Sequence, residues 1–223
     1  MRRAAALIAV LGALAAGCGG NGDTPAAATD VETNPAKTTT PAGYTVRAVK
    51  DEGFSVALPK AWRSLDAKHA LASGTMKQFE KSNPQLKGQV QALAQPDSPL
   101  KLLATGPAGK DGFLTNLNVI VTQLPPDLEF DEWTKAELAS IQKVPTVSDV
   151  QQEVTQLPAG ETLHLTYNAS FNRPGGKFDV VVNQWMVKKD DFLYILTYTT
   201  SPSQQAKLRQ AFDDSAHTFE LTD

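Results

Sequence analysis

Few side chains in this sequence combine a type and a spacing that could do chemistry, and those few are scattered through 223 residues. There is one thiol, Cys18, and with no second Cys no intramolecular disulfide can form. The three histidines, His69, His164 and His217, fall in different predicted elements. Neither HExxH nor a Cys/His cluster at metal-ligand spacing occurs, so no metal site is expected and no cofactor is implied. His164, flanked on its strand face by Thr166 and Asn168, is the one histidine placed like a general base. No G-x-S-x-G elbow accompanies it, so no catalytic residue is assigned and the chain is expected not to be an enzyme. Gly106-Pro107-Ala108-Gly109-Lys110-Asp111-Gly112 lacks Walker and dinucleotide spacing and reads as a surface hairpin or loop. The acid pairs Asp190-Asp191 and Asp213-Asp214 read as solvated turn and helix-end residues. What remains is an aromatic set, Trp62, Trp133, Trp185 and Tyr198. Its spacing suits the packing of helices on a sheet; the alternative is a groove that grips an apolar partner or a lipid.

The setting of Cys18 is more specific. Arg2 and Arg3 precede thirteen residues, Ala4 to Ala16, that are apolar apart from Gly12, the layout of a secretory signal. A bilayer-spanning helix needs ~20 apolar residues, so this stretch is too short to span. Leu14-Ala15-Ala16-Gly17-Cys18 resembles the bacterial lipobox, with Ala15 standing where that motif usually has Leu. The resemblance implies a diacylglyceryl group on the Cys18 sulfur, cleavage before Cys18 and acylation of the new amine. The alternative is an ordinary secretory signal cut near Ala16, which would leave a lone thiol in an oxidising compartment. Residues 1–17 are therefore expected to be a lipoprotein signal peptide and Cys18 the acylated first residue. Acyl chains on one Cys supply the multiple signals that stable membrane anchoring needs. The expected location is extracytoplasmic, on the cell membrane.

Residues 18–43 form the expected tether. From Gly19 to Gly43 only Val31 is a sizeable apolar residue, so the segment cannot bury enough surface to offset ordering. As a flexible coil it has an r.m.s. span of ~25 to 30 Å. The balance of 21 basic and 24 acidic residues offers no phosphate-neutralising surface, so nucleic acid is excluded as an expected partner. Residues 44–223 have the size of one domain and are expected to be monomeric.

Within them, strands are predicted at Tyr44 to Val49 and Gly53 to Leu58, followed by a helical region from about Asp66 to Gln95. Further strands follow at Leu100 to Thr105 and Leu117 to Leu124, then a helix opened by Pro125-Pro126-Asp127 with Phe130, Trp133, Leu138 and Ile141 on one face. Strands at Val150 to Leu157, Thr162 to Phe171, Phe178 to Val187 and Phe192 to Thr199 read as an antiparallel meander. Ser201, Pro202 and Gln204 read as a capping box for a last helix with Leu208, Phe212, Ala216 and Phe219 buried, ending near His217 and leading into a short strand. Alternation makes Thr162, His164, Thr166, Asn168 and Ser170 a wet strand face. Phe192 to Tyr198 is apolar on both faces and must be a central strand covered on each side. The expected fold is α+β, an α/β/α sandwich with a central antiparallel sheet.

Gly53-Phe54-Ser55-Val56-Ala57-Leu58-Pro59-Lys60-Ala61-Trp62 is similar to the opening of the family named after PsbP, the extrinsic subunit of photosystem II, a fold shared by the yeast Mog proteins. Actinobacterial envelope lipoproteins of the LpqN/LpqT type look similar over Tyr44 to Asp223, including the lipobox, the Thr/Pro tether, the helix around Leu128 to Trp133 and the closing meander and helix. The resemblance implies a PsbP-like scaffold for contacts with an envelope or extracellular protein, without a catalytic constellation. The alternative function is a carrier for a lipid or other apolar ligand.

Overall fold

A computed structural model describes residues 39–66, 91, 95, 97–125, 128–173 and 176–222. The signal segment, Cys18, most of the tether and nearly all of the helical region expected between Asp66 and Gln95 lie outside the described residues; Asp66 itself closes a strand.

Alternation and turn chemistry build the strands. β1 (Tyr44–Val49) and β2 (Phe54–Pro59) pair antiparallel across a short turn closed by Gly53, whose φ of 64° suits a residue without a Cβ. β10 (Glu220–Leu221) pairs with the other side of β2, so the C-terminus closes on the start of the domain in a three-stranded sheet ordered β1-β2-β10. A second sheet contains β3 (Arg63–Asp66), β4 (Leu100–Ala108), β5 (Leu114–Gln123), β6 (Val147–Leu157), β7 (Gly160–Arg173), β8 (Gly176–Lys189) and β9 (Phe192–Thr200). Its seven strands are ordered β3-β4-β5-β9-β8-β7-β6, with antiparallel neighbours throughout. β6 to β9 form the expected meander. β9 lies inside the sheet between β5 and β8, as its two apolar faces required. β3 was not anticipated, because its four residues are too few to display a period.

Each face of this sheet carries its own core. On one face Leu103, Ile120, Leu163, Leu165, Val182, Met186 and Ile195 pack with Trp133 and Ile141 of α1 (Phe130–Gln142). On the other, Leu102, Leu117, Trp185, Leu196 and Tyr198 pack with Phe212 and Ala216 of α2 (Pro202–Ala216), with Phe219, and with Phe54, Val56 and Leu58 of β2. The layers are thus α1, the long sheet, and α2 beside the small sheet: the α/β/α sandwich of an α+β domain.

Two local expectations need correction. The face of β7 read as wet is partly covered: Thr162 is fully buried, and the His164 ring lies on Trp185 of β8 with centroids 4.1 Å apart and planes 8° from parallel. A polar residue beside a large aromatic on the neighbouring strand is shielded whatever its own polarity. The second correction concerns the capping box of α2. Ser201 occupies the N-cap, but its hydroxyl makes no bond to the helix backbone. Instead it donates to the Asp111 carboxylate at 2.5 Å, joined by Ser203 Oγ at 2.6 Å, while Gln204 Nε2 reaches Asp111 Oδ1 at 3.3 Å and Ser201 Oγ at 3.2 Å. An ionised carboxylate is the stronger partner for a hydroxyl proton, and its negative charge suits a helix N-terminus.

Candidate functional site

The four aromatic residues of the predicted groove do not line one surface. Trp62, Trp185 and Tyr198 come together on the α2 face, where Tyr198 meets Trp185 edge-on at 5.3 Å and Trp62 at 6.5 Å, and packs against Phe212 at 5.1 Å. Trp133 lies across the sheet on the α1 face, against Phe130 at 6.1 Å. All four side chains are buried. Parity separates them: Trp185 and Tyr198 occupy strand positions that point to α2, whereas Trp133 comes from the helix packed on the opposite face. The indole of Trp62 lies so close to β4 that a Cβ on Gly106 would stand 3.1 Å from its ring, a contact only glycine permits without a shift.

Buried hydroxyls tie this aromatic layer to its cover. Tyr198 Oη donates to Ser215 Oγ at 2.7 Å, and Ser215 Oγ donates to the Ala57 carbonyl at 2.6 Å. Thr218 Oγ1 accepts from Ala57 N at 2.8 Å and donates to the Ser215 carbonyl at 2.6 Å. The chain links β9, α2 and β2 and satisfies polar atoms that burial would otherwise strand. Burial raises the Tyr198 phenol well above its ordinary value.

His164 is held on the rim of this face. Burial, then the positive charges of Arg209 and His217, lower its pKa to about 4, so the ring is neutral near pH 7. Its polar neighbour is Thr166 Oγ1 at 3.5 Å, the outer limit of a hydrogen bond. His217 engages the Asp213 carbonyl through Nδ1 at 2.8 Å, and His69 lies outside the described residues. Among the described residues, no group of three or more His, Cys, Asp or Glu side chains could hold a metal ion. At the edge of α2, hydrogen bonds from Ser201, then Ser203, then the Phe113 amide hold Asp111 down to a pKa of about 2. Of the expected surface loop Gly106 to Gly112, Gly106 to Ala108 belong to β4, with Gly106 buried, and Gly109 to Gly112 lie in the β4–β5 connection, whose Asp111 caps a helix.

Two features escaped the sequence reading. Glu137 lies on the buried stripe of α1, four residues from both Trp133 and Ile141, and is 5% exposed. Burial raises its pKa to about 7, and it also helps raise the phenol of Tyr167 on β7. Its helical spacing from Trp133 and Ile141 was the available signal. The second feature is Asn116 and Asn118, whose alternation along β5 turns two amides to the inner face.

No protein-family model matches this chain, and no curated protein matches it in sequence. Among solved structures it is similar to cyanobacterial PsbP from Synechocystis, with a TM-score of 0.52 and 14% identity over 81% of this chain and 93% of that one. It is also similar to LpqN of Mycobacterium tuberculosis, a protein involved in cell envelope biogenesis, with a TM-score of 0.50 and 13% identity over 81% of this chain and 91% of that one. At such identities the likeness is one of architecture. The chain has the PsbP-like α+β fold, a mostly antiparallel sheet with helices against it.

Proposed function

We propose that this protein is a non-catalytic binding module carried on the outer face of a membrane. Residues 1–17 would be its signal peptide, Cys18 its lipid attachment point and residues 18–43 its tether. Residues 44–223 would be a monomeric domain presented to an envelope or extracellular protein. The fold likeness to LpqN, itself involved in envelope biogenesis, and the lipobox-like Leu14 to Cys18 both support this reading.

The observation that carries binding over catalysis is the setting of His164. Its imidazole lies flat on Trp185, and its pKa is depressed first by burial and then by the cationic Arg209. A general base needs a group that orients it and stabilises its protonated form; cations do the opposite. Recognition is left to the rims, where, among the described residues, Val46, Val154 and Phe192 are the large apolar side chains exposed to solvent. The carrier alternative gains nothing from the aromatic set, because Trp62, Trp185 and Tyr198 pack on one another.

Replacing Cys18 by Ala and following detergent-phase partitioning tests the anchor: the variant should leave the membrane fraction, and unchanged retention refutes the attachment. Crosslinking from Val154 and from Phe192 in intact cells tests the partner. A discrete protein adduct from either position supports the reading, and recovery of lipid alone favours a carrier.

A further inference from the structure

The α1 face of the long sheet is apolar at its margins and polar at its centre. Strand register places Leu65, Leu103, Asn118, Thr197, Gln184 and Leu165 in one row from β3 to β7. The adjacent row reads Thr105, Asn116, Thr199, Val182 and Tyr167. The six polar residues other than Tyr167 form a contiguous block, none more than 6% exposed. With strands ~4.8 Å apart and same-face residues ~7 Å apart, the block, which reaches from β4 to β8, measures about 14 Å by 7 Å.

Its hydrogen bonding is incomplete, above all at the acceptors. Asn116 Nδ2 donates to the Leu114 carbonyl at 3.2 Å and Gln184 Nε2 to Thr197 Oγ1 at 3.1 Å, so one donor of each of these amides is used. The oxygens Asn116 Oδ1, Asn118 Oδ1 and Gln184 Oε1 are buried without a partner, as is Tyr167 Oη beside them. Folded proteins rarely leave such atoms bare, and here they gather on two adjacent rows of one sheet face. Three bare acceptors are complemented by a group that carries several donors and no acceptor. A primary ammonium is such a group. A buried cation also needs an anion, and the Glu137 carboxyl has no hydrogen-bond or ion-pair partner among the described residues while its charge reaches Tyr167. Leu103, Leu165, Ile120 and Met186 border the polar block with apolar surface.

We propose that this belt is a binding site for an amphiphilic primary amine. The oxygens of Asn116, Asn118 and Gln184 accept from the ammonium head, Glu137 balances its charge, and the bordering leucines, isoleucine and methionine receive its alkyl chain. The inference is independent of the anchor and of any protein partner.

Isothermal titration of the full chain with n-octylammonium, octanol and octanoate, each below its micellar range, tests it. Octylammonium should bind saturably at one site per chain and at least about tenfold more tightly than octanol, with octanoate weaker still. Glu137→Gln, Asn118→Leu and Gln184→Met should each weaken octylammonium by about tenfold or more while circular dichroism remains that of the native fold. Asn118→Leu and Gln184→Met should also hold or raise the thermal midpoint, because each removes an orphan acceptor. Absent saturation, or octanoate binding as well as octylammonium, overturns the proposal. So does a fall in the midpoint of both apolar variants, which would mean that bound water completes the belt as a purely structural element.

Discussion

Glu137 and His164 should set opposing pH dependences of stability within one pH window. Glu137 has an ordinary value of 4.5 and is held at about 7 by burial, so between those values the folded protein keeps a proton that the unfolded chain releases. Its contribution is fully present below 4.5 and is lost as pH rises through about 7, a loss of ~3 kcal/mol. His164 runs the other way. Its ordinary value of 6.5 falls to about 4 through burial and then the Arg209 and His217 charges, so the unfolded chain takes up a proton first. That contribution is present above 6.5 and is lost as pH falls through about 4, an upper limit of ~3 kcal/mol because the ring is only half-buried. The two slopes largely cancel between 4.5 and 6.5 in the wild type. Glu137→Leu removes one of them, so relative to the wild type its stability should climb with pH across that window. His164→Gln removes the other and should make stability fall. Urea unfolding of the three proteins across the window measures the differences, in which carboxylates common to all three drop out. Parallel profiles for wild type and Glu137→Leu would show that the carboxyl is hydrated in the folded state and refute the reasoning.

Ser215→Ala should cost about 2 kcal/mol in urea unfolding, because Tyr198 Oη loses its acceptor and the Ala57 carbonyl its donor in a dry site; adding Tyr198→Phe should recover part of the loss. Asp111→Ala should lower stability by about 1 kcal/mol through loss of the carboxylate that receives Ser201 and Ser203 at the start of α2, and faster amide exchange in the first turn would locate the effect. The depressed Asp111 pKa implies a contribution present above its ordinary 3.8 and lost as pH falls through about 2, so the Ala variant should lack that acid-side decline. Gly106→Ala should displace the Trp62 indole at a cost of about 1 to 3 kcal/mol, seen as a change in Trp fluorescence together with a lower thermal midpoint.

Much of the architecture was legible because it rests on local periodicity. The two apolar faces of Phe192 to Tyr198 required a covered central strand, and β9 lies between β5 and β8. The stripe of Leu208, Phe212, Ala216 and Phe219 required burial; the last three are buried against the sheet, and Leu208 is half-buried beside them. Where the reading fell short, a longer-range partner decided. Ser201 reads as a helix cap until the β4–β5 hairpin brings Asp111 to it. The polar face of β7 reads as wet until Trp185 of β8 lies over His164. Trp62, Trp133, Trp185 and Tyr198 read as one set until the sheet divides them.

The sequence by itself determined which residues alternate, which stripes are apolar and where the chain turns, because the strand and helix repeats are set by covalent geometry within a few residues. Only the tertiary structure decided that Asn118, Thr197 and Gln184 share a row, or that Glu137 lies buried in the core of that same face. Those neighbours come from β5, β9, β8 and α1, and their meeting depends on strand order and register. Both are settled by the joint burial of two cores, and no local segment carries that information.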